Sequence, residues 1–215
     1  MSVASMTISA WLKRIRTAAI FAAAIFTITA LRANYAQAAT WVLDPAHTNI
    51  GFSVKHMMLS NVTGEFDKFS GTITANDDDP KSIEIDVTID AASVNTHNEK
   101  RDAHLKSPDF FDVAKYPTIT FKSVKIEPDS DNKWKVTGNL TMHGVTKLVV
   151  LDVTGPTPEV NVMGGPHRAA SATATINRQD FGVAFNKTLD NGGLVVGNDV
   201  TISINVDAGK KTAAQ

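Results

Sequence analysis

Residues 82–90 read SIEIDVTID, and their alternation decides the class of fold. Apolar side chains stand at positions 83, 85, 87 and 89, with Glu84, Asp86, Thr88 and Asp90 between them or directly after them. Because an extended chain points successive side chains to opposite faces, this stretch sets an apolar face against a polar one. A period of two is typical of a half-buried antiparallel strand.

The same period recurs on either side of this stretch. It is present at 50–55, 118–122, 134–142 and 200–207, whereas no long stretch carries the 3.6-residue apolar stripe of a helix. Turn-forming sequences separate the runs: NDDDP at 76–80, PDSDN at 128–132, HG at 143–144 and NGG at 191–193. We predict an all-β domain of about eight antiparallel strands, with no internal repeat and no domain linker.

An alanine-rich strand bears on how these strands are arranged, as a sandwich or as a closed barrel. In RAASATATIN, residues 168–177, one face carries only Ala170, Ala172 and Ala174 before Ile176. Small side chains on an inner face leave room for a ligand, which favours a closed barrel with a cavity. The alternative is that this face packs tightly against large neighbours, or that it is the outer face.

One segment, NEKRDAHLKSPDFFDVAKYPTITF at 98–121, breaks the strand pattern. Asn98 is a good helix N-cap, and Ser107-Pro108 predicts the start of a second short helix. Tyr116-Pro117 predicts its end, because the residue before a proline favours extended geometry. We expect a helical pair across one open end of the barrel, either as a simple plug or as a lid that gates a pocket.

The N-terminus has the features of a secretory signal peptide. Lys13, Arg14 and Arg16 precede the apolar stretch 17–31, and Ala36-Gln37-Ala38 follows as a small-x-small cleavage site. We predict cleavage after Ala38, export to the bacterial periplasm and a mature domain at 39–215. An uncleaved anchor is the alternative, but the apolar run is shorter than the roughly 18–20 residues that cross a bilayer.

Composition argues against several classes of function. Removing the four basic residues of the predicted signal peptide, which has no acidic residue, shifts the formal charge from −1 to −5, a poor match to nucleic acid or anionic lipid headgroups. The chain has no cysteine, so neither a disulfide nor a thiol nucleophile is available. A hydrolase or a histidine-based metal site on the same barrel stays the alternative, although no nucleophile elbow, HExxH or phosphate loop is present.

Four motifs together resemble the YceI-like family of periplasmic polyisoprenoid-binding proteins. They are, in order, DPAHTNIGFSVKHMMLSNVTGEFDKFSGTI at 44–73, NEKRDAHLKSPDFFDVAKYPTITFKS at 98–123, VTGNLTMHGVTK at 136–147 and INRQDFGV at 176–183. The resemblance covers essentially the whole mature chain. It implies a lipocalin-like antiparallel barrel of about eight strands that holds a long-chain isoprenoid lipid or isoprenoid quinone. Since no catalytic or metal-binding motif is present, we also expect no catalytic activity and no other cofactor or metal.

Strand phase and the resemblance together suggest which residues bind this ligand. Inward positions and the predicted lid supply the apolar candidates: Phe52, Val54, Ile85, Val87, Phe110, Phe111, Ile119, Phe121, Leu140 and Met142. For each of them, ordinary core packing is the alternative. The headgroup candidates are His47, Arg101, Asp102 and Asn186, although an Arg-Asp neighbourhood is more often a structural network. The sequence leaves the oligomeric state open, a homodimer included.

Overall fold

The computed structural model describes residues 38–76, 79–162, 164–188 and 193–211. The predicted signal peptide, 1–38, lies outside these residues except for Ala38. Within them the chain forms twelve strands: β1 (Ala39–Leu43), β2 (Asn49–His56), β3 (Ser60–Phe66), β4 (Phe69–Asn76), β5 (Asp79–Asp90), β6 (Val94–Asn95), β7 (Thr118–Ser130), β8 (Lys133–Met142), β9 (Val145–Thr154), β10 (Val160–Val162), β11 (Gly165–Asn177) and β12 (Val196–Lys210).

Eight of these strands close into an antiparallel barrel, in the order β1-β4-β5-β7-β8-β9-β11-β12. The long β12 closes the ring, since it pairs with β11 from Asp199 to Gly209 and with β1 from Ala208 to Lys210. The prediction of an all-β barrel of about eight strands is confirmed, and the sandwich alternative is wrong. Closure pairs the strand edges that an open sheet would leave exposed.

Of the remaining strands, β10 pairs with β11, and the other three extend the barrel beside β12. β1 and β2 follow one another along the same edge of β12, interrupted by the turn at 44–48, and β2 pairs in turn with β3 and β3 with β6. The β2–β3 hairpin is therefore carried by β12 and lies beside the ring.

The predicted HG turn is a two-residue hairpin between β8 and β9, with Met142 opposite Val145. His143 and Gly144 both have positive φ, at 52° and 76°, as a type I′ turn requires. A side chain on Gly144 would also collide with the ring of Tyr116, its Cβ lying 2.5 Å from Cε1. The turn thus brings the end of the interrupting segment against the barrel.

The interrupting segment forms one helix, α1 (Glu99–Lys106), and two successive turns. The Asn98 side chain caps α1 by accepting a hydrogen bond from the Arg101 amide at 3.0 Å, as the sequence predicts. The predicted second helix is wrong. The amides of Phe111 and Val113 instead reach back to the carbonyls of Leu105 and Lys106, and Asp112 adopts a left-handed conformation with φ of 46°.

A buried arginine ties the chain between β11 and β12 together. Arg178, only 4% exposed, lies in the 3-10 turn Arg178–Phe181 that follows β11. Its guanidinium donates to the carbonyls of Val183 at 2.6 Å, Gly197 at 2.9 Å and Val196 at 3.2 Å. Burial lowers the pKa of this guanidinium, and each of its three nitrogens donates to a carbonyl.

Candidate ligand-binding cavity

The barrel encloses a cavity of about 970 Å³. This volume lies at the upper end of the roughly 300–1,000 Å³ that small-molecule sites occupy. Inward side chains of the barrel strands and of the β2–β3 hairpin form its wall, and α1 with the following turns closes one end. The interior is therefore not a solid core.

All ten apolar candidates lie in the cavity wall. Eight of them come from β2, β5, β7 and β8, whose alternation set their phase correctly; Phe110 and Phe111 come from the turns after α1. Contact between these side chains and a ligand stays a prediction. Most of the ten also pack against buried apolar neighbours, so the same side chains form both the cavity wall and the hydrophobic core.

Two glycines explain how large aromatic residues can line the barrel without filling it. Phe52 of β2 stands opposite Gly64 of β3, and a Cβ on Gly64 would lie 2.5 Å from the end of the Phe52 ring. A Cβ on Gly138 of β8 would collide with the Phe121 ring in the same way. Because these strand positions have no side chain, both rings lie back against the sheet. The middle of the barrel stays open.

The alanine face of β11 adds to this space. Ala170, Ala172 and Ile176 line the cavity, while the alternate residues Thr173 and Thr175 are exposed and do not line it. The interpretation of this face as an inner one agrees with the structure. Along the neighbouring β12, wall residues run from Val200 to Ala208, which is about 26 Å at roughly 3.3 Å per residue. The cavity is therefore elongated.

Aromatic packing holds the lid over one end of this cavity. The Phe111 ring meets Phe66 of β3 at 5.8 Å, and the Phe110 ring meets Phe185 at 4.9 Å. His104 of α1 packs edge-on against both Phe110 and Phe185, while its Nε2 pairs with Asp109 at 2.8 Å. Leu105, Phe110 and Phe111 face the cavity, as predicted for the lid.

Arg101 lies in the cavity wall, but two of its donors are engaged within the protein. Its Nε donates to the Thr96 hydroxyl at 2.7 Å and its Nη2 to the Thr96 carbonyl at 2.8 Å. Asp102 accepts from the amide and the hydroxyl of the same threonine, at 2.9 and 2.5 Å. The Arg101–Asp102 neighbourhood is thus a structural network that attaches α1 to the preceding loop, as the alternative interpretation held.

Two other headgroup candidates are placed away from the wall. The His47 side chain is 69% exposed in the turn between β1 and β2, where its Nδ1 bonds to Asp44 at 2.7 Å. That carboxylate raises the pKa of His47, mainly through the hydrogen bond, and His47 lowers the pKa of Asp44. Asn186 uses its amide nitrogen to bond the Val196 carbonyl at 3.3 Å. Neither geometry brings these side chains to the ligand space.

The structure adds wall residues that the sequence reasoning left out. Trp41, 4% exposed, and Trp134 line the cavity, and so does Arg168, whose guanidinium carbon lies 5.0 Å above the Trp41 ring. Lys55, Lys100 and Lys187 line it near the lid. Alternation within the five residues of β1 could have indicated Trp41. No local pattern indicates the lysines, because they meet only in the folded chain.

The described ranges contain neither a metal-binding cluster nor a membrane-spanning helix. No cluster of three or more histidine, aspartate or glutamate side chains there could hold a metal ion. Within the same ranges, no helix has both the length and the apolar character needed to cross a bilayer.

Fold and site together define a class: a closed antiparallel barrel with an elongated apolar cavity and a helical lid at one end. The family model of the YceI-like domain matches residues 41–208, and the chain belongs to this family. The resemblance seen in the four sequence motifs is thereby confirmed.

Similar proteins are known from several bacteria. A UPF0312 protein of Staphylococcus aureus strain N315 is 37% identical over 161 residues, covering 74% of this chain and 91% of its own. The crystal structure of the Campylobacter jejuni YCEI protein has a TM-score of 0.62 at 36% identity, covering 79% of this chain and 96% of its own. The structure of Burkholderia cenocepacia BcnA has a TM-score of 0.67 at 27% identity, covering 77% and 98%.

A more distant neighbour supports the fold. A domain of Saccharophagus degradans, described as polyisoprenoid-binding and implicated in plant cell wall breakdown, has a TM-score of 0.59 at 17% identity. It covers 81% of this chain and 100% of its own length.

Proposed function

We propose that this protein binds a long-chain isoprenoid lipid, either a polyprenyl lipid or an isoprenoid quinone, with the tail inside the barrel. The observation that carries the proposal is the elongated cavity of about 970 Å³, walled almost entirely by apolar side chains. Family membership supports the same ligand class, and the Saccharophagus neighbour is described as binding polyisoprenoids.

The physical chemistry of the ligand fits a binding role. An isoprenoid tail offers apolar surface and few polar groups, and burial of that surface yields about 25 cal/mol per Å² before ordering costs. Affinity then depends on the length of the cavity and on the exclusion of water from it, while a few polar groups at one end orient the ligand. Transport, storage and sensing of the lipid all fit this role, and we propose binding without catalysis.

Export is part of the proposal. The predicted signal peptide at 1–38 supports delivery of the mature barrel to the periplasm. N-terminal sequencing of the protein from fractionated cells tests this point, with cleavage after Ala38 as the expected result. Retention of the intact chain in the cytoplasmic fraction would contradict it.

Ligand identity is tested with protein purified from its native cells. Mass spectrometry of an organic extract should reveal an isoprenoid, and stripped protein should rebind a long-chain quinone or polyprenol. Protein that yields no isoprenoid and rebinds neither probe would overturn the proposed function.

A matched pair of substitutions on β11 tests the location of the site. Ala172→Phe should place a ring in the cavity and weaken ligand retention at least about tenfold. Thr173→Phe adds the same ring to the exposed face of the same strand and should leave retention unchanged. Equal effects of the two would mean that the ligand does not occupy the barrel interior.

A further inference from the structure

The tip of the β2–β3 hairpin exposes three consecutive apolar side chains. Met57, Met58 and Leu59 are 43%, 64% and 82% exposed, and they lie between the paired residues His56 and Ser60. Met57 and Met58 have positive φ, at 50° and 60°, in a turn closed by the hydrogen bond from the Leu59 amide to the His56 carbonyl at 3.0 Å. The chain keeps large apolar residues at a tight turn where glycine or asparagine is easier to accommodate.

This tip lies beside the lid end of the cavity. The Met57 amide donates to the Val195 carbonyl at 2.8 Å, and the Val195 amide donates to the Lys187 carbonyl at 2.9 Å. Phe185, two residues before Lys187, packs against His104 of the lid at 4.9 Å. The hairpin tip, the Lys187 loop and α1 therefore lie together at the lid end of the cavity.

Three lysines lie at this end of the cavity. Lys55, next to the hairpin tip, Lys100 of α1 and Lys187 all line the cavity and have exposed side chains. No aspartate or glutamate is among the cavity-lining residues of the described chain, although the whole chain has a formal charge of −1. Of the acids in residues 99–109, Asp102 is engaged with Thr96 and Asp109 with His104, while Glu99 is exposed next to Lys100. The charged side chains that line this end of the cavity are therefore basic, although the whole protein has a net negative charge.

We propose that this face, formed by the hairpin tip and the three lysines, docks the barrel onto the surface of an anionic phospholipid bilayer, with the lid end of the cavity toward the lipid. Met58 and Leu59 would insert between the headgroups while Lys55, Lys100 and Lys187 meet the phosphates. An apolar anchor ringed by basic residues is the combination that an anionic membrane interface attracts. Docking here would let a lipid tail pass between bilayer and cavity without crossing water.

The proposal extends the proposed function, but its test does not depend on the cargo. Binding of the purified protein to vesicles is measured by co-sedimentation, with vesicles of phosphatidylethanolamine and phosphatidylglycerol compared with vesicles of phosphatidylcholine. We expect binding to the anionic vesicles only, weakened by added salt because ions screen the lysines. Equal binding to both kinds of vesicle, or none to either, would overturn the docking proposal and leave ligand binding untouched.

Two sets of variants assign the surface. Replacing both tip residues, Met58→Asp with Leu59→Asp, should abolish binding, while Val124→Asp, 61% exposed in the middle of β7, should not. Each of Lys55→Gln, Lys100→Gln and Lys187→Gln should weaken binding about fivefold. Lys133→Gln, at the start of β8 beside the opposite hairpin turn, serves as the charge-matched control.

The outcomes distinguish a membrane from a second copy of the chain as the partner of this face. Loss of vesicle binding in the tip variant but not in the Val124 control supports the membrane. A dimer in solution that the tip variant converts to monomer, together with no vesicle binding, would mean that a second copy of the chain covers the tip and would overturn the proposal. Unfolding curves of both variants should match the parent protein, since all the replaced side chains are exposed.

Discussion

At the scale of single residues, the exposed pair Asp44–His47 has the clearest consequence of its electrostatics. The His47 Nδ1 lies 2.7 Å from the carboxylate, and this hydrogen bond raises the histidine pKa and lowers that of Asp44. The histidine stabilises the fold below its unfolded-state pKa, and this contribution is lost as pH rises through its folded-state pKa. The aspartate contributes above its unfolded-state pKa and loses this as pH falls through its lower folded-state value.

We predict that NMR titration of His47 gives a pKa above the ordinary histidine value. Asp44→Asn removes the charge and should return the His47 pKa to that ordinary value, with the fold unchanged because both side chains are partly exposed. The parent protein, titrated under the same conditions, is the reference. An unchanged His47 pKa in the variant would show that the pair does not form in solution.

Residue positions in the wall were partly predictable. Alternation fixed the inward phase of Ile85 and Phe121, because a slip of one residue would turn a whole strand inside out. It could not say whether these side chains fill the barrel. That depends on Gly64 and Gly138, which make space for aromatic rings of neighbouring strands and so act only across the sheet.

At the scale of elements, the lid helix depends on its cap. α1 has only eight residues, has no marked apolar face and buries none of its residues fully, so packing contributes little to its stability. The Asn98 side chain satisfies an amide of the first turn at 3.0 Å. Loss of this cap should therefore destabilise the whole lid segment.

Asn98→Ala should lower the free energy of unfolding by about 1 kcal/mol, within roughly 0.5–2 kcal/mol. Asn98→Asp is the matched control, because its carboxylate accepts the same bond and suits a helix N-terminus. Urea denaturation measures both variants. If alanine and aspartate were equally destabilising, the cap would not be what holds α1 in place.

The sequence predicted the start of this segment better than its end. Asn98 and Pro117 act on their immediate neighbours, so the onset of α1 and of β7 could be read locally. The motif Ser107-Pro108 also favours a helix locally, yet the amides of Phe111 and Val113 bond back to the end of α1. Packing of Phe110 on Phe185 and of Phe111 on Phe66 overrides the local preference, and both partners are distant in sequence.

At the scale of the whole molecule, barrel closure follows from the length of β12. This strand has fifteen residues, enough to pair with β11 along one edge and with β2 and β1 in succession along the other. The alternation predicted strands of the right phase, and the alanine face of β11 with the family resemblance predicted the closed barrel; the alternation alone did not distinguish a ring from a sandwich. Closure depends on which distant strands meet, and the alternating pattern is the same in a sandwich.

A closed barrel with an unfilled interior has a further consequence for stability. The wall side chains around the cavity of about 970 Å³ lack the contacts that a packed core would give them, so a bound tail supplies part of the core. Ligand that binds only the folded state stabilises it by about 2.7 kcal/mol at a free concentration of one hundred times Kd. For a domain of this size that corresponds to a rise in Tm of roughly 5–10 °C.

We therefore predict that protein stripped of lipid melts at a lower temperature than protein loaded with a long-chain isoprenoid. Differential scanning calorimetry of both forms measures the shift, with a short-chain quinone of the same headgroup as a control for the tail. Ala172→Phe should reduce the shift, because its ring occupies the space of the tail, whereas Thr173→Phe should preserve it. Stripped and loaded protein that melt together, or a short-chain control that stabilises as strongly as the long chain, would show that the tail does not complete the core.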